Sequence, residues 1–500
     1  MNRALRCLGL TMCVTLVAYP AAAADMSSVA TLAKPAPGGA PWKPSQTSAL
    51  KLGIEKLLTA PTLRGAQIGL IAIDTVRGAT LFSENSDQEF MPASNFKLLV
   101  GSTALAILGT GFSYETTVGA DGPPQPDGTI AGNIYLYGGG DALLTAKDLD
   151  AAATAVAAQH VTRITGAVVA DDSHYDSQRL GYGWSWDDLP YYYAPVVSAL
   201  ELEDGVVHIY MSPGPAAGAP AQLRIEPQSS AFTIDNRLVT GTKDTSDIQR
   251  PWDQPRTIVI AGDYPLGAKE SGDIHPAVPD PTSYAGDVFA RALAAHGVSV
   301  TGGVTAGKMP AQATVLFSHH SEALPQLLAD FWYPSDNLMG ELMLKELGYR
   351  LKGAPGTDNN GRLLEQQFLK SAGIDPATVA ISDGSGLSQY DRITPRDLLQ
   401  ILQKDWNGPN RDIMLDALPV AGVRGTLRSS YKGTAAERKV FAKTGSISHV
   451  RTISGFVQTK THGPVTFSFL INQWMGEDQP HGASDLAKVR GAILSLIASQ

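Results

Sequence analysis

Cysteine is almost missing from this chain. The sequence of 500 residues holds two, Cys7 and Cys13, both close to the N-terminus. Beyond them there is no disulfide to staple the fold and no thiol to serve as nucleophile. A basic surplus is also missing. Lys and Arg total 39 against 48 Asp and Glu, a net charge of −9, which argues against general binding to nucleic acid or to an anionic membrane. Long apolar runs are scarce. The one at Leu8 to Ala18 is shorter than the roughly 20 residues of a spanning helix, and no other stretch is long and apolar enough. No G-x-S-x-G occurs, and none of the ten histidines sits in a catalytic motif. A Ser-His-Asp arrangement is therefore not expected. H-E-x-x-H and paired cysteines are missing too, so no metal and no cofactor are expected.

What is present begins with a targeting pattern. Arg3 and Arg6 precede the apolar run, and Ala21 to Ala24 offers an A-x-A cleavage site. This predicts a secretory signal peptide over 1–24. A membrane anchor is the alternative, opposed by the short run and by the lack of a lipoprotein-type cysteine. Cleavage removes two Arg and takes the charge from −9 to −11. Export without cysteine fits a bacterial envelope, so the periplasm is the expected location, with no stable membrane anchor. Nothing in the sequence specifies an oligomeric state.

At about 150 residues per domain, this length predicts two to four modules. Residues 25–47, rich in Ala, Pro and Ser, read as a loose leader. Apolar spacing is helical from Ser48 to Leu58. Ala66 to Ile73 reads as a buried strand and Ala79 to Phe82 as its hairpin partner. From Ser94 the run NFKLLVGSTALAIL reads as a buried helix. After Thr117 the texture changes to short strands with many Gly and Pro. Helical periodicity returns around Ser318. Strands follow at Lys439 to Lys443, Thr452 to Gln458 and Val465 to Asn472, then a helix from Ala483 to Ser499. The expected division is 25–117, an insertion over 118–312 of two nested modules, and 313–500.

Three short motifs carry chemistry. S-x-x-K occurs at Ser48, Ser94 and Ser429; S-x-N at Ser83 and Ser335; K-T-G once, at Lys443, Thr444 and Gly445. Context selects Ser94. It opens a buried helix, whose N–H groups favour a developing oxyanion, and Lys97 lies on the same face at i+3. A plain N-cap is the structural alternative. Lys443 ends the strand candidate VFAKTG, where a glycine lets substrate approach the edge. A serine hydroxyl needs a base. Burial and a second cation, Lys443, would lower Lys97 towards roughly 7–8 so that it can accept a proton. Ser335 would pass a proton to the leaving amine, and Asn337 would hold the acyl-side amide. Lys443 and Thr444 would bind the substrate's terminal carboxylate. The N–H groups of Ser94 and Ser446 would form the oxyanion hole. The adjacent His319 and His320 read as surface loop residues.

S-x-x-K, S-x-N and K-T-G in this order mark penicillin-binding proteins and class A β-lactamases. The wide gap between Ser94 and Ser335 narrows the match. So do GGGDALLT at 138–145, DDSHY at 171–175, WSWDDLPYYYAPVVSAL at 184–200, DGSGLS at 383–388 and LPVAGVRGTL at 418–427. Over nearly the whole chain after the leader, the sequence resembles the D-alanyl-D-alanine carboxypeptidase/endopeptidases, the low-molecular-mass class C penicillin-binding proteins. The resemblance implies an α/β (α+β) serine β-lactamase/transpeptidase-like domain, an antiparallel sheet flanked by helices, with nested β-rich inserted domains. It implies removal of terminal D-alanine from peptidoglycan stem peptides, cleavage of D-Ala-diaminopimelate cross-links, and acylation by β-lactams. By the same resemblance Asp187, with Asp188 beside it, meets the free end of diaminopimelate, and Ser448 lines that subsite. Where the family often carries Arg, directly after DGSGLS, this chain has Gln389; Arg392 is a possible substitute. Trp184, Trp186 and Tyr191 to Tyr193 suit a sugar platform or an inter-domain core, and the second reading is preferred. A β-lactamase or esterase on the same fold and a non-catalytic peptidoglycan scaffold stay open as alternatives.

Overall fold

A computed structural model describes residues 32–500, without the side chains of 271–273. The expected signal segment 1–24, with Cys7 and Cys13, lies outside the described residues. Among these residues no helix is long and apolar enough to cross a membrane.

The part of the chain that carries Ser94 and Lys443 is built on a five-stranded antiparallel sheet. Its order is Val440–Ile447, Val450–Gln458, Pro464–Asn472, Gln67–Asp74, Thr80–Glu84. The first strand is an edge, and its pleat decides the site. Val440 and Ala442 pack with the terminal helices Pro44–Leu58 and Gly482–Ala498. Phe441 packs with the helical core on the other face. Alternation then places Lys443 and Gly445 on the face of Phe441. That face carries the buried helix Lys97–Ile107 and the helix Pro395–Asn407.

Several expected boundaries move. The first helix starts at Pro44, because proline suits a first helical turn, so part of the expected leader is ordered. The K-T-G strand does not end at Lys443. It runs on to Ile447, since Gly445 pairs with Thr452 and Ser446 with Arg451 in the hairpin.

The insertion is framed by a mixed five-stranded sheet. Its order is Val304–Ala306, Val168–Asp171, Ile134–Tyr137, Glu115–Ala120, Thr314–His320. The chain enters this second sheet through Glu115–Ala120 and leaves it through the antiparallel strand Thr314–His320. His319 and His320 therefore stand on a strand, not in a loop. His319 Nε2 lies 3.7 Å from Asp141 Oδ2, and that carboxylate raises the imidazole's affinity for its proton. The short-strand texture also conceals two helices. Ala146–Ala158 is capped by Thr145 and Asp148, and Pro281–Ala295 by Asp280. Smaller three-stranded sheets fill the region between them.

Candidate active site

Ser94 lies in the 3-10 turn Ala93–Phe96 that feeds the helix Lys97–Ile107. It does not cap that helix with its side chain. Its Oγ instead accepts from Lys97 Nζ at 3.1 Å. Two anchors fix the turn: Thr452 Oγ1 donates to Pro92 O at 2.7 Å, and Trp332 Nε1 to Lys97 O at 3.2 Å. Ala93 has a left-handed φ of 46°, a strained entry for a residue with a Cβ.

Lys97 is fully buried. Its ammonium also donates to Asn337 Oδ1 at 2.5 Å and Ser385 O at 2.6 Å. Burial draws its pKa down to about 8, against the opposing pull of Asp383, Asp336, Glu341 and Asp391. Lys443 is equally buried; burial first, then the nearby charge of Lys97, hold it well below the usual lysine range. Its Nζ donates to Ser335 Oγ at 2.7 Å and Thr444 O at 2.8 Å. Ser335 and Asn337 sit in the loop between helices Leu324–Trp332 and Leu338–Lys352. Ser335 takes a φ of 69°, a second strained position at the centre. Asn337 Nδ2 donates to Tyr193 O at 2.6 Å, which ties the loop to the inserted region.

The site is thus two buried amines, each holding a serine. With Lys97 neutral, the Ser94–Lys97 hydrogen bond reverses and the hydroxyl donates to the amine. In that arrangement the amine can take the hydroxyl's proton. Gly445 closes the edge. A Cβ there would stand 2.9 Å from Ser94 N and 2.2 Å from Thr452 Oγ1. Thr444 Oγ1 shares a 2.7 Å hydrogen bond with Thr426 Oγ1. Ser446 is exposed on the edge strand, and Ser448 is exposed in the hairpin turn.

The outer candidates are less connected. Asp187 and Gln389 are both exposed; among the described residues, neither side chain hydrogen-bonds to the five central groups. Asp188 is half-buried and accepts from Tyr193 Oη at 2.9 Å; burial raises its pKa. Arg392 donates to Gln389 O and Asp391 O, both at 2.7 Å, so its guanidinium serves its own loop. The aromatic cluster divides. Trp184 joins the inserted region to the part that carries Ser94 through Nε1 to Asp383 Oδ2 at 2.8 Å. Trp186 is 76% exposed on a turn, which corrects its reading as inter-domain core.

The DGSGLS segment at 383–388 also supplies a buried carboxylate that the three motifs do not mark. Buried Asp383 accepts from Ser385 Oγ, Gly386 N and Ser388 N as well as from Trp184. It thereby presents Ser385 O to Lys97. A lone Asp opening a Gly-Ser loop is the signal that pointed there. Among the described residues no group of His, Cys, Asp and Glu is arranged to hold a metal ion.

The model of the D-Ala-D-Ala carboxypeptidase 3 (S13) family matches residues 50–492. The D-alanyl-D-alanine carboxypeptidase of Actinomadura sp. (strain R39) is 35% identical over 477 residues, covering 92% of this chain and 87% of the relative. The crystal structure of penicillin binding protein 4 (dacB) from Haemophilus influenzae aligns with a TM-score of 0.79 at 23% identity, over 89% of this chain and 99% of that one. The same protein complexed with a novel β-lactam aligns at 0.73 with 20% identity, over 90% and 100%.

Proposed function

The chain belongs to the D-Ala-D-Ala carboxypeptidase 3 (S13) family, and from that premise we propose that Ser94 and Lys97 are the nucleophile and base of a serine DD-peptidase acting on peptidoglycan stem peptides. One observation carries the assignment. Lys97 Nζ is fully buried and placed by Ser94 Oγ, Asn337 Oδ1 and Ser385 O. Such an amine is readily neutral, and its one reactive neighbour is the serine.

Neutral Lys97 takes the Ser94 proton as Oγ attacks the carbonyl before a terminal D-alanine. The N–H groups of Ser94 and Ser446 stabilise the oxyanion, at about 3 kcal/mol for each donor. Ser335, held by Lys443, relays to the departing amine the proton that Lys97 took, gaining one proton as it gives one up. Water then hydrolyses the ester. Lys443 and Thr444 bind the substrate carboxylate, and Asn337 the acyl-side amide. Asp187, Ser448 and Gln389 line the subsite for the diaminopimelate side chain. The same attack opens a β-lactam ring and cleaves a cross-link ending on D-alanine. The Arg-led apolar start supports a periplasmic location for this chemistry, with residues 118–312 as the nested inserted domains.

Incubation with purified pentapeptide and cross-linked muropeptides, followed by mass analysis, tests the reading. D-alanine release and monomer formation are expected, and both are lost in Ser94→Ala. Undiminished release by that variant would remove Ser94 from the mechanism. A labelled penicillin should stay bound for minutes; rapid turnover would instead identify a β-lactamase.

A further inference from the structure

Ser335 and Asn337 face the two lysines, but Asp336 between them faces the inserted region. Its backbone N donates to Phe331 O at 3.0 Å, and its Oδ1 accepts from Met339 N at 2.7 Å. Its carboxyl also meets that of Asp204 within hydrogen-bonding reach. Asp204 sits on a turn with three successive left-handed residues: Glu203 at φ 51°, Asp204 at 57° and Gly205 at 70°. Non-glycine residues hold such angles only where their surroundings impose them. Here Glu203 N donates to Leu144 O at 2.9 Å, Asp204 N to Ala142 O at 3.0 Å, and Val278 N to Gly205 O at 2.9 Å. On its other side the turn touches the helix that follows Asn337: a Cβ on Gly205 would stand 3.3 Å from Leu338 Cδ2.

Around Asp204 the charged neighbours are acidic, Asp336 and Glu201. Glu201 in turn feels the charges of Arg179, Asp172 and Asp336, and Lys97 feels that of Asp336. Asp204 Oδ1 is buried with no hydrogen-bond partner. A carboxylate with a bare buried oxygen beside another carboxylate is costly, whereas one shared proton converts the contact into a hydrogen bond. Burial first, then the neighbouring charge of Asp336, raises the Asp204 carboxyl well above its usual range.

We propose that Asp204 is a positioning residue for the catalytic loop: its carboxylic acid donates a hydrogen bond to the Asp336 carboxylate and so ties Ser335 and Asn337 to the inserted region. The inference rests on the acyl-transfer roles given above to Ser335 and Asn337. It makes the insertion a structural participant in the catalytic loop, through a residue that touches no substrate.

The test compares wild type, Asp204→Ala and Asp204→Asn in the full chain, by labelled-penicillin acylation and by kcat and KM for D-alanine release. Misplacement of the loop by a fraction of an ångström should lower acylation and kcat by about 10- to 100-fold in Asp204→Ala, with KM little changed. Asp204→Asn keeps a donor and should recover most of that rate. It also has no proton to lose, so its activity should extend to higher pH than that of wild type. A folded Asp204→Ala with wild-type acylation, or an Asp204→Asn as impaired as the alanine variant, would overturn the proposal. If Asp204→Ala does not fold, the pH profiles of Asp204→Asn and wild type decide: superimposable alkaline limbs overturn it. Activity in Ser94→Ala would point elsewhere, to failure of the underlying acyl-transfer assignment.

Discussion

Lys97 and Lys443 acquire their chemistry from burial rather than from their identity alone. A solvated lysine is protonated at neutral pH and cannot act as a base. With Lys97 drawn down to about 8, the neutral fraction grows as pH rises through that value. The acylation limb of kcat/KM should therefore climb between about pH 7 and 9, and a flat profile there would contradict the base role. Lys97→Met should remain folded, because a methionine fills much of the same buried space, yet acylate penicillin at least about a thousandfold more slowly. Gly445 is the other residue-scale control. In Gly445→Ala the added methyl meets Thr452 Oγ1 and crowds Ser94 N. The edge strand must move off Ser94, and acylation should fall by about tenfold or more. The sequence marked both residues through their motifs. It did not disclose that Gly445 abuts Ser94, a contact across hundreds of residues.

Among the elements, the Asp383 turn and the Ser335 loop were legible to different degrees. Ser335 belonged to a motif and was found. The contact that the Asp383 turn makes with Lys97 runs through a main-chain carbonyl, Ser385 O, which no side-chain pattern encodes. Gly386 shows how tightly that turn is set. Its φ is 76°, and a Cβ would lie 2.1 Å from Ala93 O. Gly386→Ala combines a left-handed alanine with a clash against the turn that carries Ser94. Its expected cost is about 1–3 kcal/mol in urea unfolding, together with slower acylation. Unchanged unfolding would show that the turn has slack. The helix Ala146–Ala158 is the converse case. Its Ala-rich run and Thr145–Asp148 capping box were plain in the sequence, but the surrounding glycines and prolines masked them.

At the scale of the whole molecule, buried carboxyls make stability depend on pH. Glu365 has two buried oxygens without partners, and burial pushes it from 4.5 up to about 8. The folded protein keeps that proton over a range where the unfolded chain has lost it. Stability attributable to this group is full below about pH 4.5 and falls by about 1.4 kcal/mol per pH unit until about pH 8. Lys97 acts in the opposite sense above pH 8, where the unfolded chain holds the proton that the folded one lacks. Glu365→Gln should therefore flatten the decline of melting temperature between pH 5 and 8; a parallel decline in variant and wild type would show that the group is ionised in the fold. The sequence by itself determined the order of the motifs, the buried helix behind Ser94 and the strand that carries Lys443, because these rest on local periodicity and residue type. Only the tertiary structure decided which groups meet. The sheet pleat turns Lys443 towards Ser335, the Asp383 turn delivers Ser385 O to Lys97, and the insertion brings Tyr193 O and Asp204 to the Ser335–Asn337 loop. Such meetings join residues far apart in the chain, and local periodicity carries no information about them.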